Sequence, residues 1–251
     1  MRRSLVTIAA GLFSFVLVLP GLLPAGEMHA VDISKQCNQK LDGAFGRIGA
    51  GNNLARLPKG DQTFNDVKFK IGDGLMQLGS TMLPKFPERI DGISIDRHAG
   101  NIHLLHSTCY GGHGKNNVAA DILVDDDTQI GEYIIHYDDG SSEGFALIYG
   151  QDVRDWWYVP GESEKPSLGK VAWEGENDIS DQTVAGIRVY SSIWENPNPE
   201  KKIKTIDFVG RKEETVAAPF CIAITLEDKD SPSSSDSKPV KDESPDQGCS
   251  N

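Results

Sequence analysis

Apolar and polar residues alternate most clearly over "GEYIIHYDDGSSEGFALIYG", residues 131–150. Tyr133, Ile135 and Tyr137 fall on one face of this stretch, and Ile134 and His136 on the other. Phe145, Leu147 and Tyr149 alternate on the return, and "DDGS" between them is a turn. A period of two on either side of a Gly-containing turn predicts a β-hairpin. Other strand-like runs are "DVKFKIG", "GISID", "NIHLLHSTC", "AADILV", "KVAWEGE", "GIRVYSSIWE", "IKTIDFVG" and "PFCIAITLE". Turn residues separate them at short intervals, and helical periodicity is almost absent. Many short strands punctuated in this way predict an all-β chain folded as a β-sandwich of jelly-roll type.

The pattern breaks at both ends. Arg2 and Arg3 precede an apolar run from Leu5 to Leu23, so residues 1–30 are expected to be an export leader, cut after Ala30 or after Ala25. The rival is an uncleaved anchor, but Gly11, Pro20 and Gly21 interrupt the run. Residues 31–63 hold little regular pattern and are expected to wrap the sandwich, residues 64–226, as an extended arm. Residues 227–251 are rich in Ser, Pro, Asp and Lys, with Val240 the only large apolar residue. Such a segment buries too little surface to offset its chain entropy and is expected to be a disordered acidic tail. The expected location is outside the cell, in the periplasm or at the cell surface.

Charge narrows the choice of partner. The formal net charge is −12, which opposes binding to nucleic acid or, once the leader is removed, to an anionic membrane. The 4 cysteines, Cys37, Cys109, Cys221 and Cys249, match no zinc spacing. In an oxidising compartment they permit two disulfides, and sequence does not choose the pairing. Buried free thiols are the alternative at Cys109 and Cys221, which sit in apolar runs.

The candidate chemistry is aromatic. In "VRDWW", Trp156 and Trp157 are neighbours, and neighbouring side chains on a strand point to opposite faces. One ring then meets the core. The other is covered by the arm or loops, or it offers a flat apolar surface on which a sugar ring can stack. Arg154 and Asp155 next door supply hydrogen bonds for hydroxyls. Trp173 precedes Glu174, Glu176 and Asn177, and Trp194 precedes Glu195 and Asn196 in a rigid Asn-Pro turn. Aromatic rings before polar loops suit a sugar-binding rim at strand ends, and equally a capped core.

His98, His103, His106 and His113 with Cys109 suggest a metal at first sight. His103 and His106 are three apart on a strand and face opposite ways, so they do not share an ion. His106 is expected to be buried and hydrogen-bonded, and the other histidines exposed. Asp125–Asp127 in "VDDDT" could hold a structural calcium, though a solvated acidic turn suits them better. No cofactor is expected. No G-x-S-x-G, P-loop or H-E-x-x-H occurs. Glu132, Glu174, Glu176 and Glu195 could in principle supply a glycosidase-like carboxylate pair, and no motif singles two of them out.

Six blocks carry a resemblance. "NNLARLPKGDQTFNDVKFKI", "IHLLHS", "IGEYIIHYDDGSSEGFALIYGQDVRDWW", "VAWEGEN", "IRVYSSIWENPNPEKKIKTIDFVG" and "AAPFCIAITLE" follow in order. Together they resemble an exported β-sandwich module of planctomycetes and related bacteria, sometimes attached to glycoside hydrolases. Such modules look like galactose-binding-domain-like jelly rolls, a fold with many carbohydrate-binding members. The resemblance implies a sandwich and a glycan or polysaccharide partner, and it assigns no residue. The leading expectation is a secreted, non-catalytic, carbohydrate-binding module. The alternatives are a structural or protein-interaction module of the cell envelope and a small glycanase.

Overall fold

The computed structural model describes residues 26–46, 48–112, 124–159 and 165–229. The expected leader up to residue 25, most of the "AADILV" strand, His113, Cys249 and the tail from residue 230 lie outside the described residues. Among the described residues the only helix is one 3-10 turn, Ser180–Gln182.

The architecture is an all-β sandwich with an added outer layer. The first strands are β1 (Met28–Ala30), β2 (Gln39–Lys40), β3 (Gly60–Phe64), β4 (Val67–Ile71) and β5 (Gly74–Gln77). Then come β6 (Arg89–Arg97), β7 (Asn101–Cys109), β8 (Gln129–Tyr137), β9 (Ser142–Ile148) and β10 (Trp157–Tyr158). The last are β11 (Lys170–Gly175), β12 (Gly186–Glu195), β13 (Ile203–Gly210) and β14 (Ala218–Glu227). The large sheet runs β10-β12-β7-β14-β5-β2, with β1 added on β14 and β11 on β12. The smaller sheet runs β6-β13-β8-β9, and β3 and β4 form a separate hairpin. All the strand pairings are antiparallel.

The long apolar runs of β7 and β14 have a physical cause. A strand covered on one face alternates, and a strand covered on both does not. One core lies between the two sheets and includes Ile102, Leu104, Ile135, Tyr137, Phe208 and Ile224. A second core lies on the other face of the large sheet. There Leu105, Cys109, Phe220 and Ile222 meet Phe69 of β4 and Leu41, Phe45, Leu54 and Leu57 of the N-terminal segment. A register shift between Cys221 and Ala223 makes a bulge in β14. It turns Ile222 and Ala223 to the same side, so strict parity fails there.

The segment expected as an extended arm, residues 31–63, contains β2 and all of β3 but Phe64, so the boundary drawn after Thr63 falls inside β3. The hairpin at residues 131–150 forms as its pattern predicts. Tyr133, Ile135 and Tyr137 face the core, and Gly140 at φ 84° closes the turn.

Candidate binding site

Both tryptophans of "VRDWW" are inside. Trp156 is 3% exposed and Trp157 8%. Their rings lie edge-on at 6.2 Å, Trp156 is 5.1 Å from Phe45, and the Trp157 indole N–H donates to Asn52 Oδ1 at 3.0 Å. The expectation that one ring faces solvent is corrected. Residues 150–156 form a turn and isolated bridges, and the strand begins only at Trp157. Parity governs extended backbone, so it does not apply to this pair. The N-terminal segment closes over both rings.

The polar neighbours are buried with them. Arg154 pairs with Asp126 at 2.8 Å and lies 5.6 Å from the centre of the Tyr149 ring. The Asp155 carboxylate accepts from the Gly111 N–H at 2.6 Å and the Trp157 N–H at 2.8 Å. Asn196 is buried, donates to the Ala99 carbonyl at 2.9 Å and accepts from the Asn198 N–H at 3.0 Å. These three side chains hold loops in place and present no surface to a ligand. Trp194 is half-buried and stacks on Phe145 at 5.3 Å and 25°. Glu195 beside it is exposed.

A single tryptophan rim does not form. Trp173 is in register with Val189 of β12 and packs against the outer core, whereas Trp194, at the far end of β12, packs against the core between the sheets. At about 3.3 Å per residue the two positions are about 16 Å apart along the strand.

What the fold does assemble is a groove of about 330 Å³ lined by Arg56, Tyr158, Trp173, Glu174, Gly175 and Glu176, with Ala185 and Gly186. Trp173 comes from β11, which among the described residues pairs with β12 alone, and a bulge lies between Val171 and Trp173. Gly175, two residues on, has no side chain, and the indole lies where one would be. A Cβ there would stand 2.3 Å from the ring. Tyr158 in β10 pairs with Gly186, where a Cβ would stand 2.6 Å from the phenol ring. The Arg188 guanidinium sits 4.9 Å from the centre of that ring. Both aromatics are half-buried and part exposed. Arg56 comes from the N-terminal segment, held by Asp181 at 2.6 Å and Asp178 at 3.1 Å, with Glu176 at 4.0 Å. The groove thus has two flat apolar faces, two acceptor carboxylates and one positioned cation. Trp173 was visible in the sequence as an aromatic before a polar loop. Tyr158 and Arg56 gave no local signal, because only the folded chain brings them there.

A larger cleft of about 750 Å³ runs between the N-terminal segment and β4–β5. It is lined by no aromatic residue, and several of its polar side chains are engaged. The Asn38 side chain is bonded at both ends to Gln77, Gln39 donates to the Ala44 carbonyl, and Asp73 pairs with Lys59. It holds the segment against the sheet.

The buried polar groups are also structural. His106 is buried, as expected, between Ser192 Oγ at 2.7 Å and Tyr133 Oη at 3.3 Å. Burial drives its pKa down to about 3. This Ser–His pair lies inside the inter-sheet core, where no substrate reaches. His103 corrects the expectation of exposure, being 5% exposed and bonded to Glu227 at 2.9 Å. Asp126 pairs with Arg154 at 2.8 Å, and Asp127 accepts from Gln151 at 2.7 Å. Cys37, Cys109 and Cys221 are free thiols.

Comparison with protein-family models, with curated proteins and with solved structures finds no match.

Proposed function

We propose that the chain is an exported, non-catalytic binding module that takes a carbohydrate at the Tyr158–Trp173 groove. One observation carries this reading: two part-exposed rings, each packed over a glycine, flank a groove that also presents Glu174, Glu176 and Arg56. Sugar rings stack their C–H faces on aromatic faces, and charged side chains alongside fix the hydroxyls through charge-assisted hydrogen bonds. The sequence resemblance to galactose-binding-like jelly rolls points the same way, and the sandwich architecture fixes no ligand by itself.

Val184, 80% exposed beside the groove, favours a second reading, in which this edge meets a protein of the cell envelope. A glycan array with the full chain separates the two. The sugar binder retains one class of glycan, and the interaction module retains none. Release of reducing sugar from a retained glycan would turn the proposal into a glycanase using Glu174 and Glu176.

A further inference from the structure

The sequence leaves two bonds open for removal of the apolar leader, after Ala25 and after Ala30. The fold distinguishes them. Met28, His29 and Ala30 pair with Glu227, Leu226 and Thr225 of β14. The pairing continues on both sides: the Asp228 N–H donates to the Glu27 carbonyl at 3.0 Å, and the Val31 N–H to the Ile224 carbonyl at 2.9 Å. Met28 packs against the outer core, and its sulfur accepts from the Lys68 N–H at 3.4 Å. The His29 ring bonds Asp228 at 3.1 Å.

Cutting after Ala30 removes all of these contacts but that of the Val31 nitrogen and leaves a bare edge on β14, a template for unwanted pairing. The Ala25–Gly26 bond lies before the first paired residue. Gly26 suits a chain start at this place. It runs so close to β14 that a Cβ would stand 2.0 Å from the Asp228 carbonyl oxygen. It lies beside the Glu227 side chain, whose pKa its backbone N–H helps to lower and whose carboxylate also holds His103 at 2.9 Å and Asn101 at 2.9 Å.

We propose that a leader peptidase of the exporting cell hydrolyses the Ala25–Gly26 bond, and that the mature chain begins at Gly26 with its new α-ammonium held by Glu227. Water adds to the Ala25 carbonyl. The C–N bond breaks, the leader departs with an Ala25 carboxylate, and the Gly26 nitrogen takes up both protons of the water to become the α-ammonium. Ala25 supplies the small residue directly before the cut, as Ala30 does at the other bond, so the choice between them rests on the pairing with β14.

The test is N-terminal sequencing and intact mass of the full chain recovered after export from a bacterial host. The expected N-terminus is Gly-Glu-Met-His. Ala25→Leu should leave the leader attached, and Ala30→Leu should be cut at the same bond as the wild type. A wild-type N-terminus at Val31, a retained wild-type leader, or a block by Ala30→Leu instead of Ala25→Leu would overturn the assignment.

Discussion

Two buried groups give the stability of this fold a specific dependence on pH. His106 is enclosed by Ser192, Tyr133 and, across the strand pair, Cys221. Burial raises the Tyr133 phenol far above its usual range and the Cys221 thiol to about 12, so neither supplies an anion to offset an imidazolium. His106 therefore falls from 6.5 to about 3. The unfolded chain binds this proton below pH 6.5, and the folded chain does so only near pH 3. The stability this confers is present above pH 6.5 and is lost as pH falls toward 3. The loss totals about 5 kcal/mol at about 1.4 kcal/mol per unit.

Asp152 behaves in the opposite way. Burial raises it from 3.8 to about 6, against one hydrogen bond from the Ile148 N–H. The folded state then holds the proton more tightly, so stability is present below pH 3.8 and lost as pH rises through 6, by about 3 kcal/mol. The two slopes cancel between about pH 4 and 6, and below pH 4 only the His106 slope remains. Urea unfolding from pH 3.5 to 8, followed by tryptophan fluorescence, measures this. Relative to wild type, His106→Gln should lose progressively less stability as pH falls below 6.5. Asp152→Asn should gain on wild type as pH rises from 4 to 6. Differences that stay constant with pH in both variants would refute the reasoning.

Trp156→Ala and Trp157→Ala should each cost about 3–5 kcal/mol in urea unfolding, because both rings are core. A cost under about 1 kcal/mol for either would place that ring outside the core. Since the rings touch, the double variant should lose less than the sum of the two. Gly175→Ala puts a methyl where the Trp173 indole lies, at 2.3 Å. It should leave the melting temperature nearly unchanged and weaken glycan retention on the array; unchanged retention would show that the ring's position does not matter.

Much of the fold was legible in the sequence. "NIHLLHSTC", "GIRVYSSIWE" and "IKTIDFVG" coincide with β7, β12 and β13 residue for residue. Strand pattern records which faces are covered, and here covering on both sides produced unbroken apolar runs. The misses have physical causes. β5, "GLMQ", is four residues among glycines and carries no usable period. The Trp156–Trp157 pair lies where the chain turns, so a rule for extended backbone gave the wrong exposure. Asn196 looked like a loop ligand because Asn-Pro marks turns. The same tendency puts its side chain to work bonding the turn's own backbone. The groove was half legible, through Trp173 and its neighbours Glu174 and Glu176. Arg56, Tyr158 and Trp173 lie on separate segments, and local pattern does not report which segments meet.

The most direct measurement is a titration of the full chain with the glycan retained on the array, followed by tryptophan fluorescence and calorimetry. Trp156 and Trp157 are sealed in, and Trp194 is stacked on Phe145, so a bound sugar should act chiefly on the emission of Trp173. Wild type should show saturable binding with a fluorescence change. Trp173→Ala should lose both while unfolding at the wild-type temperature. Undiminished binding by a folded Trp173→Ala variant would contradict the assignment of this groove.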